Sequence, residues 1–446
     1  RGFNPDPSIL RVGDDYYIAT STFEWFPGVQ IHHSKDLKNW RLLTRPLNRI
    51  SQLDLRGVDT AHGVWAPCLS YDENAERFYL VYTIVYGLGG RQFELDNFMV
   101  TATDIEGPWS EPIYVNSSGF DPSLFHDDDG RKWIVNLAWE ARQDYEHPGP
   151  IVLQEWSTKE NRLIGEPKYI YNGGTDRGCL EAPHLYKQNG WYYLMTAEGG
   201  TGYGHAVVMA RSRNIEGPYE PDPKGAMITS HPEEFNERGI DDSPKPHRYN
   251  PNSELQKSGH GSLVETQNGN WYVAHLCARP LIPKLCSPLG RETAIQKCAW
   301  TSDGWLRMAN DSNLAKMETE DPGLPEYPFK PEPVRDEFDK PKLNIHFQTC
   351  RIPADENWVS FEHYGFLRLR GQGSIFSKQH KSLVARRIQS FCVRAETCVE
   401  FEPWNRHQSA GLTAFYSELN FYYLRIYKSD SLGGKCLATA LEPIDD

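Results

Sequence analysis

DPSLFHDDDGRKWIVN, residues 121–136, decides the fold, because it is one of five variants of a single phrase. The others are DPSILRVGDDYYIATS from Asp6, APCLSYDENAERFYLVYT from Ala66, EAPHLYKQNGWYYLMTA from Glu181 and HGSLVETQNGNWYVAHL from His260. After its first residue each runs through Pro or Ser and an aliphatic residue to a turn, then a Tyr/Trp-rich strand. Self-similarity at a fixed spacing marks a propeller or a solenoid. The turns GDD (13–15), DENAE (72–76), DDDG (127–130) and QNG (188–190 and 267–269) suit tight hairpins. Later strands close on polar, aromatic-bearing segments such as TATDIEGPWSEP and ARSRNIEGPYEP. No helical period interrupts the pattern. A five-bladed β-propeller is predicted, with two tandem sandwiches as the alternative.

Three phrases open on an acid: Asp6, Asp121 and Glu181. If the opening residue holds the same place in every blade, these acids converge on the axis. Neighbouring carboxylates push one another's pKa values apart, so one can serve as base while another carries a proton. That division of labour drives glycoside hydrolysis. A lone Asp before Pro would read as a turn cap; three acids in matched phrases read as a site.

The bulk properties narrow the partners. A net charge of −13 over 446 residues argues against nucleic acid and anionic membranes. No run of about 18 apolar residues offers a membrane span. The nine cysteines lack zinc spacing and read as free thiols of a reducing, cytoplasmic setting; Cys179 is expected to fill a core. The chain starts at Arg1, and a removed leader stays open.

Residues 1–318 are assigned to the propeller. Residues 318–339, ETEDPGLPEYPFKPEPVRDEFD, hold five prolines and read as an extended linker or a strap between domains, with the linker placed at 319–335. From 336 to 446, alternating strands such as FLRLRG, LVARRI and FYYLRIYK predict a β-sandwich, expected to be incomplete at Asp446. The polar stretch 231–258 reads as a long surface loop, with a lid as its functional alternative.

GFNPDPSI (2–9), GVWAP (63–67), FDPSLFHDDDG (120–130), EAPHLY (181–186), GHGSL (259–263) and PLGRETAIQ (288–296) together resemble glycoside hydrolase family 43. The resemblance is to its β-xylosidases with an appended concanavalin-like sandwich, and it covers nearly the whole chain. It implies an all-β, five-bladed propeller hydrolysing with inversion and acting on xylo-oligosaccharides. By resemblance Asp6 is the general base, Glu181 the general acid and Asp121 the acid that tunes and holds Glu181. Inversion sets base and acid about 6.5–9.5 Å apart. Arg291 is implied to bind sugar hydroxyls. Trp65, Phe23 and Trp139, and less directly Trp25 and Phe26, are implied to line the sugar site. His260 is implied near the channel floor, where a divalent cation such as Ca2+ is the one cofactor left open. A homo-oligomer also stays open. An exo-acting, inverting β-1,4-xylosidase is therefore expected. An α-L-arabinofuranosidase, or an enzyme with both activities, is the rival from the same family. A non-catalytic carbohydrate-binding propeller is the rival from another class. A fructan-active propeller is disfavoured by the absence of its WMNDPN opening.

Overall fold

The computed structural model describes residues 1–145, 149–232 and 246–442. Strands dominate it, and one short 3-10 turn at Pro246–Arg248 is the helical element among the described residues. Five antiparallel sheets follow in order within residues 8–44, 63–116, 123–171, 181–229 and 256–308. Their innermost strands are Ser8–Val12, Gly63–Asp72, Ser123–His126, Glu181–Gln188 and Gln256–Glu265. Each touches the next, and the fifth touches the first. The sheets are thus the blades of a closed propeller.

Blades packed face to face bury both sides of their second strands, so these strands read as largely apolar and aromatic runs. Lys132–Leu137 is buried at all six positions. Five cores follow, one per interface. Examples are Ile31 with Leu80 between blades one and two, Leu153 with Leu194 between three and four, and Met195 with Val273 between four and five. The turn at Asn189–Gly190, with φ of 52° and 71°, needs the left-handed conformation that Asn and Gly supply.

Three inner-strand serines, each two places after the opening residue of its phrase, staple neighbouring blades. Ser8 Oγ accepts from the Leu69 amide (3.0 Å), Ser262 Oγ accepts from the Ile9 amide (3.0 Å), and Ser123 Oγ donates to the Pro183 carbonyl (2.6 Å).

Among the described residues no strand is exchanged between the first and last blades. The proline-rich segment covers that seam instead. Tyr272 of blade five donates to the Glu320 carbonyl (2.9 Å) and Asn268 to that of Pro322 (2.8 Å). On the blade-one side, Lys38 pairs with Asp321 (3.0 Å) and Asp36 accepts from the Tyr327 amide (2.8 Å). Leu324 is buried in the core shared by Ile9, Ile18, Val264 and Ala274. Of the linker and the strap that the sequence leaves open, the structure shows a strap.

The C-terminal region is knitted into the propeller. Its strand Phe347–Cys350 pairs with Trp25–Phe26 of blade one, and its last sheet runs through Ser409–Ser417, Asn420–Ser429 and Gly434–Glu442. Between the two bodies lies a buried ionic cluster. Glu418 accepts from Arg351 and Lys381, and from the Thr60 hydroxyl of the propeller (2.7 Å). Arg351 also donates to the Val58 carbonyl (2.6 Å). Burial alone would raise the Glu418 carboxyl, but these three donors pull it down to about 2. Removing its charge strands two buried cations. Glu418→Gln is therefore expected to cost about 3–5 kcal/mol of unfolding free energy in urea titrations; a loss under about 1 kcal/mol would contradict this reading.

Candidate active site

One backbone feature recurs in every blade. Asp6, Ala66, Asp121, Ala182 and His260 all adopt positive φ, at 56°, 35°, 54°, 52° and 50°. Each precedes Pro or Gly at the head of an inner strand. Non-glycine residues pay on the order of 1–3 kcal/mol each for this conformation. It turns the side chains of Asp6, Asp121 and His260 together at one end of the ring.

This alignment corrects one expectation. Asp6 and Asp121 are structural equivalents, but the fourth blade's equivalent is Ala182, and Glu181 stands one residue earlier. An irregularity in strand pairing between Glu181 and His184 accommodates the offset. Asp121 bridges it, because Asp121 Oδ2 accepts from the Ala182 amide (3.2 Å). Asp121 thus holds the peptide that carries Glu181.

Asp6 is buried and held from three sides. Ser21 Oγ donates to its Oδ2 (2.6 Å), Arg291 Nη1 to its Oδ1 (3.3 Å), and His260 Nδ1 lies 3.9 Å away. Ser21 also accepts from the Ala66 amide (2.7 Å), tying blades one and two at the site. Burial pushes the Asp121 carboxyl well above the usual range, and the nearby charge of Asp6 pushes it further. Burial lowers His260, against the pull of Asp6, so it stays neutral.

Beneath the acids the axis is blocked. Cys68 of blade two and His184 of blade four, which are not neighbours around the ring, meet with Sγ and Nδ1 4.0 Å apart. Both are buried. The pocket is therefore blind at this end.

Its wall is a run of aromatic rings. Arg291 lies 5.0 Å over Phe23, Phe23 meets Trp65 edge-on at 6.3 Å, and Trp65 meets Phe120 at 5.6 Å. Trp139 packs on Phe93 at 4.1 Å. Indole donors fix the two tryptophans, Trp65 to the Ala61 carbonyl (2.9 Å) and Trp139 to that of Arg91 (2.8 Å). Such faces suit the C–H patches of a pyranose.

Trp25 and Phe26 do not belong to this wall. Their backbone pairs with the C-terminal region, and the Trp25 ring meets Phe415 at 6.1 Å. They are expected at the sugar site from the resemblance of STFEWF (21–26) to the family. Sequence reasoning missed Ser21, Phe93 and Phe120. Phe120 had a signal, since it precedes Asp121 as Trp65 precedes Ala66; Phe93 sits outside the repeated phrase and had none. Cys179 is buried, as a filler would be. Among the described residues no group of three or more His, Cys, Asp or Glu is placed to hold a metal ion. Of the stretch 231–258, residues 233–245 lie outside the described residues, and the lid reading with them.

Comparison with known proteins agrees with this geometry. Residues 1–306 match the model of glycosyl hydrolases family 43. The chain belongs to that family. Residues 335–440 match the β-xylosidase C-terminal concanavalin A-like domain. A Humicola insolens protein named xylosidase/arabinosidase 43B is 50% identical over 95% of this chain and 75% of its own length. A Bacillus subtilis (strain 168) protein named beta-xylosidase is 48% identical over 97% of this chain and 79% of its own. The crystal structure of a xylan beta-1,4-xylosidase from Bacillus halodurans C-125 superposes with a TM-score of 0.90 at 51% identity, covering 98% of this chain and 80% of that one. The family 43 member described here is thus a glycoside hydrolase with a propeller and a concanavalin-like domain.

The buried acids set a pH signature. Because Asp121 has its folded-state pKa raised, its contribution to stability is full below the unfolded value of about 4 and is lost as pH rises through the folded value. Asp121→Asn keeps an acceptor for the Ala182 amide and removes that loss. The variant is expected to gain stability over the parent as pH rises from about 4 towards 8, by roughly 1–3 kcal/mol. Thermal unfolding across that range tests it, and a difference that does not change with pH would contradict it.

Proposed function

We propose that the protein is an inverting, exo-acting β-1,4-xylosidase that releases xylose from the non-reducing ends of xylo-oligosaccharides. The observation that carries this reading is the blind pocket, with Asp6, Asp121 and the Glu181 peptide gathered above the Cys68–His184 contact. A pocket closed at its base fits one terminal sugar and cannot thread a chain. The names of the close relatives from Humicola insolens and Bacillus subtilis supply the sugar.

In this reading Asp6, oriented by Ser21 and Arg291, takes a proton from a water as the water's oxygen attacks the anomeric carbon. The glycosidic bond breaks on the opposite face, and Glu181 gives its proton to the departing oxygen. Asp6 ends protonated and Glu181 ionised; exchange with solvent restores both. Asp121 keeps its own proton and fixes the Glu181–Ala182 peptide. The aromatic rings hold the sugar's apolar face, and Arg291 reaches its hydroxyls.

The Humicola insolens relative, named for both activities, keeps an α-L-arabinofuranosidase, alone or combined, as the second reading. Relative rates on aryl β-xyloside and aryl α-arabinofuranoside separate the two. For the roles, Glu181→Gln is expected to lose roughly 10²–10⁴-fold in kcat on xylobiose and far less on an aryl xyloside whose leaving group needs no acid. Equal losses on both would remove Glu181 from the acid role. Asp6→Asn is expected to abolish turnover on either substrate, and substantial remaining activity would assign the base elsewhere.

A further inference from the structure

The aromatic wall does not end at the pocket. Phe93 and Trp139 also form one side of a separate cleft between blades two and three, with a volume of about 440 Å³. That size falls within the range of small-ligand sites. Its lining is unusual for this chain. A quarter of all residues are charged (24%), yet among the described residues none that lines the cleft is. It is built instead from Phe93, Trp139 and Tyr169 with the amides of Asn116, Asn136 and Gln154.

The amides are held in a fixed row. Asn97 donates to Asn116 Oδ1 (2.7 Å), Asn116 to Asn136 Oδ1 (3.2 Å), and Asn136 to the Leu137 carbonyl (2.8 Å). Gln154 is tied to the Gly165 carbonyl (2.7 Å). Tyr169, 70% exposed, stands at the rim. Rigid amides beside flat aromatic faces, without charge, suit a neutral ligand rich in hydroxyls and apolar on one face. An anion or a cation finds no partner in such a lining. The order of the rings, Trp65 to Phe120 and Phe93 to Trp139, runs from the acids to this cleft.

We propose that the cleft between blades two and three is a distal subsite for the uncharged sugar chain of the substrate, holding units beyond the one that is cleaved. The proposal rests on the xylosidase reading. It makes chain length, rather than chemistry at the acids, depend on Tyr169 and Gln154.

The test is the double variant Tyr169→Ala/Gln154→Ala, assayed on aryl β-xyloside, xylobiose and xylotetraose. Neither residue belongs to the catalytic site. On the two short substrates kcat/KM is expected to stay within about twofold of the parent. On xylotetraose it should fall roughly fivefold, through KM rather than kcat, the equivalent of about 1 kcal/mol. Unchanged xylotetraose kinetics, or an equal fall on all three substrates, would overturn the subsite. If the parent cleaves none of them, the xylosidase reading fails by itself. Calorimetric titration of the parent and the double variant with xylotetraose then decides the cleft: binding lost in the variant supports it, and equal or absent binding in both refutes it.

Discussion

Everything at the site depends on five inner strands closing into a ring and on the left-handed residue that heads each of them. Ring closure gives residues more than 100 positions apart a common address. The positive φ turns Asp6, Asp121 and His260 to the same end. Holding five non-glycine residues in that conformation costs several kcal/mol in sum. The inter-blade cores and the serine staples offset this, since a blade cannot relax its first residue without releasing its neighbour. Strain here sits where the acids gather, and buried acids with separated environments are the other mark of a working site.

The strap and the C-terminal region complete this logic from outside. A propeller without strand exchange is weakest at the junction of its first and last blades, and the first blade carries Asp6 while the last carries His260 and Arg291. The segment around Leu324 seals that junction. On the other flank, Arg351 donates its amide to the Glu24 carbonyl (2.8 Å), and the Glu24 side chain accepts from the Ala61 amide (3.1 Å). Ala61 in turn receives the Trp65 indole. The C-terminal region is thereby connected to the pocket wall through three residues. Glu24 itself is driven up to about 7 by burial.

Much of this is legible in the sequence. The repeated phrase fixes blade number, hairpins and the convergence of Asp6 and Asp121. It misleads at Glu181, because alignment from the first acid hides that the matched feature is the residue before proline, Ala182 in that blade. Ser21 and Phe93 are illegible for another reason: their roles exist only once blades are packed. Trp25 looks like a neighbour of Phe23 in sequence, but Phe23 has a φ of 53° that breaks the period-two register, and Trp25 opens a separate strand paired with the C-terminal region. A proline-rich connection reads the same whether it spans solvent or lies across a seam; burial of Leu324 tells them apart.

The central claim is that an attacking water stands between Asp6 and the substrate while Glu181 protonates the leaving oxygen. The most direct measurement is proton NMR of the anomeric signals in the first minutes after mixing with xylobiose. Release of α-xylose from the β-linked substrate is the result this account predicts. Release of β-xylose would mean retention, would make a carboxylate the nucleophile, and would contradict the account.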